Sequence, residues 1–150
     1  MKKMLKVKRD KDPVMTVDAR ILKQKRIVYL LVASRPLKYR FGKSRIAYIG
    51  STQLGVVRIA GSAAHRAEEI LSAYGVRSMS VYVVWCRQRQ GMKTWRYLER
   101  AFLALFRARY LANPKCNKQG EPPRFDGRMQ KLFKPAGIEQ ILINFEKPLK

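Results

Sequence analysis

Acidic residues are scarce in this 150-residue chain, so each can be weighed for chemistry in turn. Asp10 and Asp12 sit in a charge-rich lead-in, and Asp18 lies on the polar side of an alternating stretch. Glu68 and Glu69 fall in mid-helix among small residues. Glu121, Asp126, Glu139 and Glu146 lie in or near loops and the C-terminal segment. Glu99 differs. In Trp95-Arg96-Tyr97-Leu98-Glu99-Arg100-Ala101-Phe102 it falls inside the apolar stripe Trp95, Leu98, Phe102, Leu105 and Phe106, about 40° from Trp95 and about 60° from Phe102 at helical spacing. A carboxylate on such a stripe is costly unless it is paired or binds a metal. Three readings stay open: an ion pair with Arg96 or Arg100, a position on the wet edge of the stripe, and a metal ligand.

The rest of the inventory narrows the chemistry. His65 is the single histidine, which excludes a His-rich metal site, and no Ser/His/Asp arrangement is evident in the sequence. There is no CxxC pair and no GxxxxGK[ST] phosphate loop. Tyr, Arg, Lys and one carboxylate remain. That set suits phosphodiester hydrolysis: a hard cation on the carboxylate polarises the phosphate, a guanidinium binds its oxygens and a phenol activates water. Charge points the same way. With 33 Lys plus Arg against 10 Asp plus Glu, the net charge is +23, and such a surface attracts nucleic acid. No basic amphipathic helix with apolar anchors is evident, and the apolar run Ile27–Ala33 is too short to span a membrane. No long apolar stretch follows the basic start, so no signal peptide is expected. Cys86 and Cys116 are unpatterned and suit reduced thiols in a cytoplasmic protein.

The elements that must position these residues can be read from periodicity. Met15–Ile21 alternates as a half-buried strand does. Arg26–Ala33 is a continuous β-branched run and predicts a central strand. Ser34–Arg45, with Pro36, Gly42 and several cations, reads as a basic loop. Ile46–Ile49 is a short strand, and Ser51 or Thr52 is a candidate cap for a helix over Leu54–Tyr74 that ends at Gly75. Ser78–Cys86 reads as a strand. Thr94 caps a helix to about Ala112, which Pro114 ends; Gly120–Gly127 is a loop, and Ile138–Phe145 reads as a last strand. The sum is one α+β domain over 1–150, a small mixed or antiparallel central sheet flanked by helices. Its core spans about 26–120, with an N-terminal extension 1–25 that adds a strand and a C-terminal extension 121–150.

Several marks occur together. Tyr48-Ile49-Gly50 is a verbatim YIG, and Ile27-Val28-Tyr29 stands where GIY would. Arg58 lies eight residues past the YIG glycine, Glu99 lies on the second helix, and Pro114-Lys115-Cys116-Asn117 gives a Pro-x-x-Asn signature after it. On these marks, over about Arg26 to Gly120, the chain resembles the GIY-YIG nuclease superfamily. It departs in having Ile27 for the first glycine, a wider gap between Tyr29 and Tyr48, and Ser62 where a histidine often stands one turn after the helix arginine.

The resemblance implies a nuclease domain of that fold and a role for each residue. Tyr29 is the general base or orients the attacking water, and Tyr48 hydrogen-bonds to Tyr29 or to the scissile phosphate. Arg58 binds that phosphate, and Glu99 holds a single Mg²⁺ or Mn²⁺. Asn117, at the nucleic-acid side of the site, fixes the chain after the helix. As a base, Tyr29 needs cationic neighbours such as Arg58 to lower its pKa. Lys38, Arg40, Lys43 and Arg45 of the basic loop are expected to touch backbone phosphates. The partner expected is DNA, cut by a self-contained enzyme such as a restriction or phage nuclease. Two-strand cutting with one site per chain needs a homodimer or sequential nicks. An RNA nuclease and a non-catalytic basic nucleic-acid-binding protein stay open as alternatives.

Overall fold

The protein is described from a computed structural model covering residues 4, 6–9, 11–12, 15–118, 120 and 124–150. The readings made of Asp10, of Glu121 and of the rest of 121–123 in the Gly120–Gly127 loop fall outside those residues. Strand β1 (Ile27–Lys38) lies at the centre of a three-stranded antiparallel sheet. Strand β2 (Lys43–Thr52) pairs on one side of it and β3 (Met79–Val84) on the other. The predicted central strand is where the apolar run put it: Ile27 to Ala33 are all buried, as expected of a strand covered on both faces. Helix α1 (Val56–Glu68) continues as one π-helical turn, Glu69–Ala73. Helix α2 (Thr94–Tyr110) is the long helix read from the sequence, and α3 (Gly127–Leu132) and α4 (Pro135–Asn144) follow. The architecture is α+β.

Register decides which residues share a face, because directly paired side chains point the same way. Tyr29 pairs with Gly50 and Leu31 with Tyr48, so these four lie on one face. Val28 pairs with Ser51 and with Val84, and Leu30 with Ile49 and Tyr82, on the other. Helix α1 lies over the first face, where Ser62 meets the Tyr29 hydroxyl. Helix α2 and the end of α4 cover the second, where Glu99 meets Ser51 and Phe145 packs edge-on against Tyr82 at 4.9 Å between ring centroids. Trp95, Leu98, Phe102 and Phe106 of the expected stripe are buried in α2.

Four expectations are corrected. Met15–Ile21 is not a strand among the described residues. Met15 and Val17 are exposed, and a five-residue 3-10 turn (Ala19–Lys23) starts at Asp18, whose carboxylate accepts from the Arg20 backbone N–H at 2.8 Å. Alternation alone does not make a strand without a neighbour to complete the ladder. Ser34–Arg45 is not a loop but a β-hairpin, with β1 running to Lys38 and β2 starting at Lys43. Pro36 is tolerated because it falls in the irregularity between the pairs Val32–Ile46 and Leu37–Ser44, where no ladder bond is required of it. Ile138–Phe145 lies in helix α4 and its cap, with Ile138 and Leu142 buried one turn apart. The caps also differ. Gly55, at φ +75°, occupies the N-cap of α1, and Lys93 that of α2. Neither helix start has a side-chain cap, so Ser51, Thr52 and Thr94 are free for other bonds.

Among the described residues, no helix is long and apolar enough to cross a membrane. Both cysteines are free thiols.

Candidate active site

Gly50 explains how two tyrosines fit on one face of a small sheet. A Cβ on Gly50 would lie 2.7 Å from Tyr48 Cε1 and 2.8 Å from both Cζ and the hydroxyl oxygen of Tyr29. The absence of a side chain lets both rings lean over the β2 backbone, with centroids 5.9 Å apart and planes tilted by 43°. The YIG tripeptide is thus a packing unit: the glycine makes the space that its own tyrosine and the cross-strand tyrosine share.

Tyr29 is 1% exposed, and its hydroxyl donates to Ser62 Oγ at 2.9 Å. Burial raises its pKa above the ordinary tyrosine value. The bond to Ser62 opposes the rise, the Tyr48 hydroxyl adds to it, and the Arg58 charge opposes it. Arg58 therefore acts in the expected direction, from an exposed position on α1, but burial outweighs it. The expected lowering of the Tyr29 pKa is not what this site produces.

Tyr48 is less buried and carries the Arg66 guanidinium over its ring at 3.9 Å. Arg66 also donates to the Cys116 carbonyl at 2.7 Å. Arg66 was not singled out from the sequence, and Ser62 was noted only as standing where a histidine often does. Ser62 holds the position one turn after Arg58, and Arg66 follows one turn later, so helical spacing from Arg58 was the available signal. His65, between them in sequence, is exposed.

Glu99 is half-buried on the opposite face of the sheet. Its Oε2 accepts a short hydrogen bond from the Ser51 hydroxyl. Among the described residues, no Lys or Arg nitrogen reaches it within ion-pair distance; the pairs present are Arg20–Asp18, Arg66–Glu69 and Arg109–Glu146. Burial raises the pKa of Glu99 above the usual carboxylate value, with Ser51 and the charges of Arg96 and Arg100 pulling the other way. The alternative of a direct ion pair with Arg96 or Arg100 is therefore not realised in the structure. No group of three or more His, Cys, Asp or Glu side chains gathers as a metal cluster among the described residues.

The structure brings Tyr29, Tyr48 and Arg58 to one face and places Glu99 on the other. The consecutive residues Gly50 and Ser51 link the two groups, one contacting each. Asn117 is a backbone partner rather than an exposed donor. Its amide donates to the Ile49 carbonyl at 2.8 Å and accepts from the Ile49 N–H at 2.9 Å, beside a bond from Cys116 N–H to the Ala47 carbonyl at 2.9 Å. The Pro-x-x-Asn segment thereby closes the outer edge of β2.

The four hairpin cations do not form one patch. Lys38, Arg40 and Lys43 are exposed, whereas Arg45 is 6% exposed and lies with its guanidinium 5.6 Å from the Phe145 ring centroid. Lys38 is also nine residues along β1 from Tyr29, roughly 30 Å at strand rise, so the hairpin tip is remote from the tyrosines. In comparisons with known proteins, no family model, curated protein or solved structure matches this chain.

Proposed function

We propose that this chain is a divalent-cation-dependent endonuclease that hydrolyses DNA phosphodiester bonds, built on the plan of the GIY-YIG nucleases. The observation that carries the reading is the state of Glu99. In a chain with 33 Lys and Arg, a half-buried carboxylate is held by a serine hydroxyl and by no cation of the described chain. Keeping such a group in place against its desolvation cost makes sense if a cation from solution completes it.

The donor set fits a hard metal ion. Mg²⁺ takes oxygen ligands, keeps several waters and is commonly held by one carboxylate together with substrate phosphate. Glu99 presents such an oxygen, and no donor from the described residues occupies its Oε1. A bound Mg²⁺ or Mn²⁺ would supply Lewis-acid polarisation of the phosphate and stabilise the leaving oxygen.

The chain's own residues do the rest. Arg58, exposed beside the tyrosine pair, binds the phosphate oxygens and offsets the charge that develops on them. Tyr48, the less buried phenol, faces the incoming phosphate or water. Tyr29 stays protonated at neutral pH because burial raises its pKa, so it orients water through Tyr48 rather than taking its proton. Ser62 fixes the Tyr29 hydroxyl. A phosphate lying across the Gly50–Ser51 end of β2 would be within reach of groups from both faces.

One observation favours a second reading. The tyrosines and Glu99 lie on opposite faces of the sheet, an arrangement that a non-catalytic nucleic-acid binder would tolerate. Supercoiled plasmid incubated with the protein separates the two. Nicking or linearisation in Mg²⁺ or Mn²⁺, abolished by EDTA, is expected of the nuclease; binding without cutting in either metal overturns it. Matched DNA and RNA substrates then decide the nucleic acid.

A further inference from the structure

The segment between β3 and α2 combines features that the proposed site does not use. From Ile70 to Leu98 the sequence contains no acid, but it has Arg77, Arg87, Arg89, Lys93 and Arg96. Each of these five is exposed, and none has an acidic partner among the described residues. Trp85 stands 60% exposed at the start of the segment, whereas the other tryptophan, Trp95, is buried. A large aromatic left in water at the head of a row of guanidiniums is unfavourable for the free protein and suited to stacking on a base.

The segment is held in shape. Gln88 donates to the carbonyls of Arg26 at 3.3 Å and Cys86 at 3.2 Å, and accepts from the buried Thr94 hydroxyl at 2.8 Å. This pins the backbone between Arg87 and Arg89, so both guanidiniums project into solvent from a fixed base. Little ordering is then left to be done on binding.

Its location is also specific. Val84, next to Trp85, lies in register with Val28, and Val28 with Ser51. Two strand spacings, about 10 Å, therefore separate the start of the segment from the serine that holds Glu99. That distance is about three base steps along the axis of a duplex, and fewer along an extended single strand. The hairpin tip offers Lys38, Arg40, Lys43 and the exposed Phe41, but it lies at the far end of the sheet and borders a cavity of about 600 Å³ lined in part by Glu139 and Glu146.

We infer that the Trp85–Arg96 segment is a binding platform for an unpaired DNA strand. Trp85 stacks on a base, and Arg87, Arg89 and Lys93 contact the phosphates that lead toward Glu99. Paired bases in a duplex offer no free face to Trp85, so the platform selects single strands or unpaired nucleotides next to a duplex. The inference rests on the nuclease reading only for its relation to Glu99, and it is tested by binding without cleavage.

The full chain, in EDTA, is titrated with a short oligothymidylate and with a duplex of the same length while tryptophan emission is followed. The single strand should quench emission and bind more tightly than the duplex. Trp85→Leu, a change at an exposed position, should abolish the quench, leave the Trp95 signal and weaken oligothymidylate binding roughly tenfold or more. Arg87→Ser with Arg89→Ser should flatten the log-affinity against log-salt slope by about 0.7 for each phosphate left without its guanidinium. Absence of quenching, undiminished affinity of Trp85→Leu, or a duplex that binds and quenches equally well overturns the platform. The nuclease reading fails separately: binding and quenching as described with no cleavage in Mg²⁺ removes it and leaves the platform standing.

Discussion

Replacing Gly50 by Ala puts one methyl where two phenol rings already meet. The added Cβ would sit 2.7 Å from Tyr48 Cε1 and 2.8 Å from Tyr29 Cζ. Ordinary carbon contacts are about 3.5–4.0 Å, so each ring must retreat by roughly 1 Å. Tyr29 is fully buried under α1 and tied to Ser62, and cannot do so without moving its neighbours. Overpacking of this kind costs about 1–3 kcal/mol, a fall of about 3–10 °C in Tm for a domain of this size. The retreat also misplaces the groups proposed to act in cleavage, and a shift of roughly 1 Å can cost about a hundredfold in rate. Differential scanning fluorimetry and plasmid cleavage of Gly50→Ala read the two effects. Gly50→Ala combined with Tyr48→Ala should recover part of the lost Tm, because the nearest clash is gone, and deviate from additivity by about 0.5–3 kcal/mol. A Gly50→Ala protein that melts and cuts like the parent would show that the rings do not share the space over Gly50, and would refute the account of the YIG unit.

Further outcomes follow from the same geometry. Tyr29→Phe removes a hydroxyl that donates to Ser62; stability should fall by about 1 kcal/mol, and cleavage should fall by less than the roughly hundredfold expected of a general base, because Tyr29 orients water rather than taking its proton. Wild-type cutting would make Tyr29 a core aromatic. Arg45→Ala should lower Tm by removing a buried side chain that covers Phe145, whereas Ala at Lys38, Arg40 and Lys43 together should leave it within about 2 °C; equal effects would put Arg45 back on the surface. Burial, with the Glu146 carboxylate beside it, pushes the Tyr110 phenol up to about 12, and burial, with Glu69, pushes the Cys116 thiol up to about 12. The unfolded chain releases both protons at lower pH than the folded one, so their stabilising contribution is complete below pH of about 9 and is lost as pH rises toward 12. Urea midpoints taken at increasing alkaline pH should fall steadily, and a flat profile would contradict the burial of these groups.

Particular residues show what the sequence made legible. Ile27–Ala33 announced a central strand because a strand buried on both faces has no polar side to interrupt it. The stripe of α2 announced both the helix and the oddity of Glu99, since a carboxylate among Trp95, Leu98 and Phe102 violates helical patterning on its own. Tyr29 and Tyr48 lie on one face of the sheet, with the Arg58 charge acting on Tyr29 from α1. Local pattern failed where tertiary partners decide. The isoleucines of Ile138–Phe145 favour a strand by propensity, yet Ile138, Ile141, Leu142 and Phe145 also follow helical spacing, and packing against α2 selects the helix. Leu37 and Tyr39 are buried in what reads as a basic loop, because the hairpin lies against the end of α2 through the bond from Phe41 N–H to the Tyr110 carbonyl at 3.0 Å. The placement of Glu99 opposite the tyrosines depends on which helix covers which face, and no window of sequence carries that.

The most direct test of the central claim is one substitution, Glu99→Gln, measured three ways. It keeps the shape of the side chain and its contact with Ser51 but removes the charge that a hard cation needs. Tm should hold or rise slightly, because a half-buried carboxylate with no cationic partner in the described chain is itself unfavourable. DNA binding in EDTA should hold or tighten, since one negative charge near the phosphate is gone. Cleavage in Mg²⁺ should vanish. A Glu99→Gln protein that loses stability and still cuts at the parental rate would show that Glu99 serves the fold alone, and would contradict the metal-assisted site proposed for this chain.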